Sequence, residues 1–153
     1  MNHAKVEEAR VVQYSFRVDI EASLERVWKG LTDQLGSWWL PDFHMLGPDS
    51  LVTLEPHAGG RLFEECGDQS LLWYTVVAIS PNKSMSLAGY CTPDFGGPCS
   101  TLLTISLEKS GGGTQLTVGD ALYGRVSDGQ ASSLESGWKQ LFGDGLKKFV
   151  ESA

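Results

Sequence analysis

Residues 11–33 read "VVQYSFRVDIEASLERVWKGLTD", and the spacing of their hydrophobic residues changes from that of a strand to that of a helix. In residues 11–20, hydrophobic and polar side chains alternate, which predicts a strand with one buried face. From Leu24 onward, the hydrophobic residues fall on one side of an amphipathic helix, for which Ser23 is the expected N-cap. The predicted buried face of the strand consists of Val12, Tyr14, Phe16, Val18 and Ile20.

A second, short helix is predicted at residues 34–40, "QLGSWWL", before Pro41 ends it. It contains the adjacent tryptophans Trp38 and Trp39. Neighbouring residues on a helix point about 100° apart, so we expect one tryptophan to pack on the core and the other to face a cavity entrance or solvent. The alternative is that both residues only pack.

The middle of the chain has the pattern of β-structure interrupted by turns. Because the connections between these segments are short, the strands should pair antiparallel. Together with the first strand they make seven. The six predicted segments are "SLVTLEP", "RLFEEC", "SLLWYTVVAIS", "SMSLAGYC", "STLLTISLEK" and "TQLTVGDALYG".

The C-terminal part of the chain has the pattern of a long helix. Ser127 and Gln130 match a capping box at its start. Glycines inside a helix cost about 1 kcal/mol each, so we expect this helix to lie close to a sheet or to bend near Gly143 and Gly145. Its predicted apolar stripe consists of Leu134, Trp138, Leu141, Phe142, Leu146 and Phe149.

The order of these elements predicts an α+β fold. A curved seven-stranded antiparallel sheet should surround the long C-terminal helix, with two short helices between strands 1 and 2 closing one end. Such an arrangement leaves a space between sheet and helix that either is filled by side chains or holds a ligand. We expect residues 1–10 to form a flexible leader and residues 11–153 to form a single domain.

Composition excludes several classes of function. The 153 residues are 41% hydrophobic and 20% charged, and the net charge is −7. This charge argues against binding to nucleic acid or an anionic membrane.

No segment has the pattern of a signal peptide or a membrane span, which predicts a cytoplasmic protein. No cofactor fingerprint or metal-binding cluster is found, and an odd number of cysteines argues against a disulfide framework, although Cys91 and Cys99 could face each other across a hairpin.

Four segments carry a resemblance to a known family: "VDIEASLERVWKGLTD", "WWLPD", "GGRLFEE" and "SGWKQLFGDGLKKFVE". Over about residues 11–151 the chain resembles the SRPBCC (START-like, birch-pollen-allergen-like) superfamily. Within it, the chain is most similar to the group named for the C-terminal domain of the activator of heat shock protein 90 ATPase. The resemblance implies the helix-grip fold and a cavity for hydrophobic ligands. Some relatives are cyclases or dehydratases, among them polyketide cyclase-like proteins, and others are co-chaperones.

The aromatic residues favour binding of a small hydrophobic or aromatic molecule between the sheet and the C-terminal helix. Each one alone could equally be core packing. The expected ligand-binding residues are Trp38, Trp39, Phe43, His44, Glu64, Trp73, Tyr90, Tyr123, Trp138 and Phe142.

Two of these residues, His44 and Glu64, are also candidates for acid–base catalysis. A carboxylate facing an apolar cavity would have a raised pKa, whereas at the sheet surface Glu64 would pair with Arg61 or another cation. An enzyme of the cyclase, dehydratase or hydrolase type is therefore an alternative, and it requires two titratable groups that converge in the cavity. A chaperone partner follows from the resemblance alone. A homodimer through the exposed sheet or through the loop "TPDFGGP" is a further alternative.

Overall fold

A computed structural model of the chain describes residues 4–152. The strands are β1 (Arg10–Ile20), β2 (Leu51–Leu54), β3 (Arg61–Cys66), β4 (Gln69–Ser80), β5 (Ser84–Cys91), β6 (Cys99–Ser110) and β7 (Gly113–Gly124). The helices are α1 (Leu24–Leu31), α2 (Leu35–Trp38), α3 (Asp128–Gln140) and α4 (Lys148–Glu151), and a π-helical segment (Leu141–Lys147) joins α3 to α4. We call residues 128–151 the C-terminal helix.

The seven strands form one antiparallel sheet in the order β1-β7-β6-β5-β4-β3-β2. Strands that follow one another from β2 to β7 are neighbours in the sheet, as their short connections predict. The crossover from β1 to β2 carries both short helices and places these two strands at opposite edges. The predicted α+β helix-grip fold is therefore confirmed.

The change of period at the start of the chain is confirmed. Along β1 the predicted inward residues are more buried than their polar neighbours. At the start of α1 the hydroxyl of Ser23 accepts a hydrogen bond of 3.1 Å from the amide of Arg26. This bond satisfies one of the amides that a helix start leaves unpaired.

The C-terminal helix begins as predicted at Ser127, whose hydroxyl accepts a hydrogen bond of 3.0 Å from the amide of Gln130. The reciprocal half of the capping box does not form. The Gln130 side chain instead donates to the carbonyl of Phe95, in the loop between β5 and β6, at 3.2 Å. Gln130 therefore connects the start of the helix to this loop.

Gly143 and Gly145 lie in the π-helical segment of the C-terminal helix. A Cβ atom at Gly145 would be 2.7 Å from the carbonyl oxygen of Trp38, whereas one at Gly143 would meet nothing within 4 Å. Gly145 is thus required for close packing of the C-terminal helix on α2. The expected close approach is made to a helix and not to the sheet.

The core lies between the inner face of the sheet and the C-terminal helix. Burying a single leucine or valine side chain in such a core stabilises the fold by about 1.5–3 kcal/mol relative to leaving it in water. The fully buried aliphatic side chains come from α1, from the central strands and from the C-terminal helix, and they include Val27, Leu31, Val76, Leu103, Leu116, Val118, Leu141 and Leu146.

The first described residues have no regular secondary structure before Arg10. Glu7 nevertheless forms an ion pair of 3.0 Å with Arg125 after β7. Residues 1–3 of the predicted leader lie outside the described residues. Within residues 4–152, no helix has the length and hydrophobicity needed to cross a lipid bilayer.

Candidate functional site

The space between the sheet and the C-terminal helix is filled by aromatic side chains. Their ring centroids lie 5.4–6.5 Å apart in seven pairs. The cavity that remains has a volume of about 10 Å³ and an apolar lining, which is about the space of one water molecule. The rings in this cluster belong to Phe16, Trp38, Trp39, Trp73, Tyr74, Trp138 and Phe142.

Both adjacent tryptophans belong to this cluster, with Trp38 4% and Trp39 5% exposed. The indole of Trp38 donates to the carbonyl of Gly30 at 2.7 Å, and that of Trp39 donates to the carbonyl of Phe43 at 2.9 Å. The expectation that one of them faces the entrance or solvent is wrong. Helix α2 ends at Trp38, and extended backbone at Trp39 (φ −64°, ψ 114°) turns its side chain inward as well.

Glu64 of β3 is fully buried and accepts four hydrogen bonds. Its carboxylate oxygens receive the amide of Met45 at 3.1 Å, the amide of Leu46 at 2.7 Å, the hydroxyl of Ser50 at 2.6 Å and the indole of Trp73 at 3.1 Å. Three of these donors lie in the loop between α2 and β2. Glu64 therefore fastens this loop to the sheet.

The pKa of Glu64 reflects two opposing effects. Burial by itself raises the pKa, but the hydrogen bonds from Ser50, Leu46, Trp73 and Met45 outweigh it and leave the pKa below its ordinary value. The expectation of a raised pKa is therefore wrong, and so is the alternative of an ion pair with Arg61. Arg61 lies on the other face of β3 and pairs with Glu55 at 2.8 Å.

His44 contacts this carboxylate only through Ser50. The Ser50 hydroxyl donates its proton to Glu64, so it accepts from Nδ1 of His44 at 2.7 Å. The other ring nitrogen, Nε2, lies 3.2 Å from the carbonyl oxygen of Trp39. A nucleophile–base pair would need the serine proton directed at the histidine. With the serine proton directed at Glu64, His44 holds the loop and is not placed as a base toward Ser50.

A cleft of about 430 Å³ opens at the molecular surface beside the filled core. This volume lies within the range of small-molecule sites. The cleft is bounded by β4, β5, the loop after β5 and the first turns of the C-terminal helix. Its mainly apolar lining consists of Met45, Leu71, Leu72, Trp73, Tyr74, Tyr90, Cys91, Thr92, Phe95, Thr101, Gln130, Ser133, Leu134 and Trp138.

A β-bulge brings two neighbouring aromatic residues to this cleft. Leu62 pairs with Tyr74, but Phe63 pairs with Leu72, so Trp73 is an extra residue in β4. Strict alternation would place Trp73 and Tyr74 on opposite faces. The bulge suspends the alternation, and both side chains line the cleft.

Trp138 separates the core from the cleft, because it lines both the small internal cavity and the cleft. Its ring stacks on Phe142 with centroids 5.7 Å apart and lies 6.0 Å from the ring of Tyr74. Its indole nitrogen Nε1 is buried and has no hydrogen-bond partner among residues 4–152. An unpaired buried donor costs about 1–3 kcal/mol, so this N–H is the unsatisfied polar group of the site.

A chain of hydroxyl groups leads from the cleft to a buried carboxylate. Asp120 accepts hydrogen bonds from Tyr14 at 2.7 Å and from Thr101 at 2.6 Å. Because the proton of Thr101 is used in this way, the hydroxyl of Tyr74 donates to Thr101, at 3.1 Å. Burial raises the pKa of Asp120 in spite of these hydrogen bonds, and burial also raises the pKa of Tyr74.

Cys91 and Cys99 lie opposite each other at the end of the β5–β6 pair, as the hairpin pattern allows. Both are free thiols, as is Cys66. Burial, a hydrogen bond with Cys99 and the charge of Asp120 raise the pKa of Cys91 to about 12. A thiol of this pKa is protonated at neutral pH and is a poor nucleophile.

Residues 21–151 match the family model described as Activator of Hsp90 ATPase homolog 1-like protein. The chain belongs to this family. No curated protein sequence matches it at a significant level. The resemblance to this group of the SRPBCC superfamily is thus confirmed over residues 21–151.

Several solved structures have the same fold as this protein at low sequence identity. A protein from Rhizobium leguminosarum is 16% identical with a TM-score of 0.74, over 97% of this chain and 100% of its own. The Aha1 dimer from Colwellia psychrerythraea is 21% identical with a TM-score of 0.65, over 92% and 96%. Ara h 8.0201 is 12% identical with a TM-score of 0.68, over 94% and 100%.

The predicted ligand-binding residues of this family member fall into four places. Those that line the cleft are Trp73, Tyr90 and Trp138. Those that fill the core beside the internal cavity are Trp38, Trp39 and Phe142. Those that hold the loop before β2 are Phe43, His44 and Glu64. Tyr123 is not brought to the cleft, because it is 60% exposed on the outer face of the sheet.

Several residues of the cleft, and Asp120 behind it, were not among the predicted set. Strict alternation predicts Trp73 and Tyr74 on opposite faces of β4, and of the two only Trp73 is in the predicted set. Asp120 did leave a signal, since it is the one charged residue on the otherwise apolar face of β7 that also holds Leu116, Val118 and Leu122. The lining residues Thr101 and Met45 left none, whereas Leu134 was predicted only as part of the apolar stripe of the C-terminal helix.

Proposed function

We propose that this protein binds a small hydrophobic, ring-bearing molecule in the cleft between the sheet and the C-terminal helix. The observation that carries the proposal is the position of Trp138. Its buried Nε1–H lacks a partner among the described residues, in a side chain that forms a wall of the cleft. A ligand that accepts a hydrogen bond there would remove the cost of the unpaired donor.

The lining of the cleft also supports an apolar, ring-bearing ligand. Aromatic side chains from β4, β5 and the C-terminal helix surround it, and aromatic rings stack favourably on flat ligands. The cavity inside the fold is far smaller, since it measures about 10 Å³ against about 430 Å³ for the cleft. We therefore place the ligand beside the core and not within it.

The titratable groups favour binding over catalysis. Tyr74 and Cys91 line the cleft, but their raised pKa values keep both protonated at neutral pH. The carboxylate of Asp120 lies behind Thr101, and that of Glu64 is fully occupied by four hydrogen bonds. The convergence of two ionisable groups that an acid–base mechanism requires is not met by His44 and Glu64.

A ligand screen tests this proposal. Sterols, flavonoids, polyketides and fatty acids are compared by thermal shift, and binding is measured by calorimetry. We expect at least one ring-bearing class to raise the unfolding temperature of the wild type and to bind Trp138→Phe more weakly. Trp28→Phe is the matched control, because Trp28 lies on α1 and does not line the cleft. Flat shifts with every class would refute the proposal.

The remaining predictions concern partners and location. A homodimer, a chaperone partner and a cytoplasmic location stay predictions from the sequence and its resemblance. The Colwellia protein is described as a dimer. Light scattering would measure the molar mass of this protein in solution and show whether it is also a dimer.

A further inference from the structure

Two side chains that line the cleft, Trp138 and Tyr74, carry polar atoms with unused hydrogen-bonding capacity of opposite kinds. Nε1–H of Trp138 is a donor without a partner among the described residues. The phenolic oxygen of Tyr74 gives its proton to Thr101, so its lone pairs can still accept a hydrogen bond. Both residues line the cleft, and their rings are neighbours with centroids 6.0 Å apart.

The direction of the hydroxyl chain fixes these roles. Asp120 accepts from Thr101 and Tyr14, and Thr101 accepts from Tyr74. Each hydroxyl proton in this hydrogen-bonded series is therefore directed toward the buried carboxylate and away from the cleft. As a result, the phenolic oxygen of Tyr74, a residue of the cleft lining, is left with acceptor capacity alone.

We infer that the ligand is a neutral molecule with a hydroxyl group on an apolar ring system. Its oxygen accepts from Nε1 of Trp138, and its proton is donated to the hydroxyl oxygen of Tyr74. A hydroxyl group is the smallest substituent that is both donor and acceptor. This inference rests on the proposed function, since it names the class of ligand for the same cleft. Nε1 is covered in the ligand-free chain, so ligand entry includes a small rotation of the Trp138 ring.

The charges around the cleft disfavour an anionic ligand. The carboxylate of Asp120 lies one hydroxyl group behind the cleft, and that of Glu64 binds the indole of Trp73 in the cleft wall. No lysine or arginine is present among the described residues that line the cleft, and the whole chain has a net charge of −7. A carboxylate in the cleft would thus be repelled and would lack a cation.

Three probes of matched ring size separate these chemistries: 2-naphthol, 2-methylnaphthalene and 2-naphthoic acid. Their dissociation constants are measured by titration calorimetry at pH 7, where the acid is ionised. We expect 2-naphthol to bind about tenfold more tightly than 2-methylnaphthalene, because the latter leaves both polar groups unpaired. We expect 2-naphthoic acid to bind more weakly than both.

Two variants test whether Trp138 and Tyr74 cause the preference for 2-naphthol over 2-methylnaphthalene. Trp138→Phe and Tyr74→Phe should each reduce the preference for 2-naphthol to within about threefold while they keep the affinity for 2-methylnaphthalene. Trp28→Phe should retain the full preference. Far-ultraviolet circular dichroism and the urea midpoint of each variant establish that it is folded before its affinities are compared.

The outcomes distinguish this inference from the proposed function. If 2-naphthol and 2-methylnaphthalene bind equally, or if 2-naphthoic acid binds most tightly, the inference is overturned while the cleft remains a hydrophobic site. A preference that survives in both folded variants also overturns it. If none of the three probes binds, the proposed function itself is overturned for ligands of this size.

Discussion

The hydroxyl of Ser50 donates a hydrogen bond of 2.6 Å to the carboxylate of Glu64, and both side chains are buried. This bond joins β3 to the loop that follows α2 and carries His44. The carboxylate is paired with four donors and with no cation among the described residues. Glu64 therefore fastens to β3 the loop that carries His44.

Replacing this carboxylate should destabilise the fold. All four groups that contact the Glu64 carboxylate are hydrogen-bond donors. Glu64→Gln replaces one acceptor oxygen with an NH₂ group, so at least one of these buried donors loses its partner. We expect a loss of about 2–3 kcal/mol in the free energy of unfolding, measured by urea denaturation. The neighbouring Glu65→Gln is the control, because Glu65 is exposed on the opposite face, and it should change stability by less than about 0.5 kcal/mol.

The effect of Glu64→Gln should depend on pH. The pKa of Glu64 is lowered in the folded state from its ordinary value of 4.5. At low pH the unfolded chain therefore binds a proton at this residue before the folded chain does, so the contribution of Glu64 is present above pH 4.5 and is lost as pH falls through the folded pKa. The destabilisation by Glu64→Gln should be smaller at pH 3 than at pH 7. An equal or larger effect at pH 3 would contradict the lowered pKa.

Two glycines of the C-terminal helix should respond in opposite directions to the same substitution. Gly145→Ala places a Cβ atom 2.7 Å from the backbone of Trp38, which should cost about 1–3 kcal/mol. Gly143→Ala meets open space, and it should stabilise the helix by up to about 1 kcal/mol. Thermal unfolding measures both. Similar changes in the two variants would show that the helix does not pack on α2 as described.

The two adjacent tryptophans should both prove to be structural. Trp38→Phe removes the hydrogen bond to Gly30, and Trp39→Phe removes the one to Phe43. Each change should cost about 1–3 kcal/mol in unfolding free energy. Neither should alter the affinity for 2-naphthol more than about twofold, because neither residue lines the cleft. A large loss of affinity in a folded Trp39 variant would place the ligand in the interior instead.

Local periodicity predicted most of the fold. The alternation in β1, the N-cap at Ser23 and the short links between the later strands depend on neighbouring residues, which a sequence displays directly. The site was predicted less well because it depends on exceptions to that periodicity. The extra residue Trp73 interrupts the alternation of side chains between the two faces of β4. Because α2 ends at Trp38, the side chain of Trp39 does not point where a continued helix would place it.

The role of Glu64 lay beyond prediction for a different reason. Its inward position follows from alternation in β3, but its pKa depends on amides at Met45 and Leu46, 18 or 19 residues away in the sequence. Such donors come from the path of a loop, which has no periodic pattern. The same holds for the cleft, which forms where β5, its following loop and the C-terminal helix meet.

The central claim, that Trp138 binds the ligand from a wall of the cleft, is tested most directly by nuclear magnetic resonance of the indole N–H groups. The five tryptophans of the chain each give one such signal, assigned with single Trp→Phe variants. On titration with 2-naphthol, we expect the signal of Trp138 to move most and in the downfield direction typical of a new hydrogen bond, that of Trp73 to move less, and those of Trp28 and Trp38 to stay. An unmoved Trp138 signal in the presence of bound 2-naphthol would contradict the account.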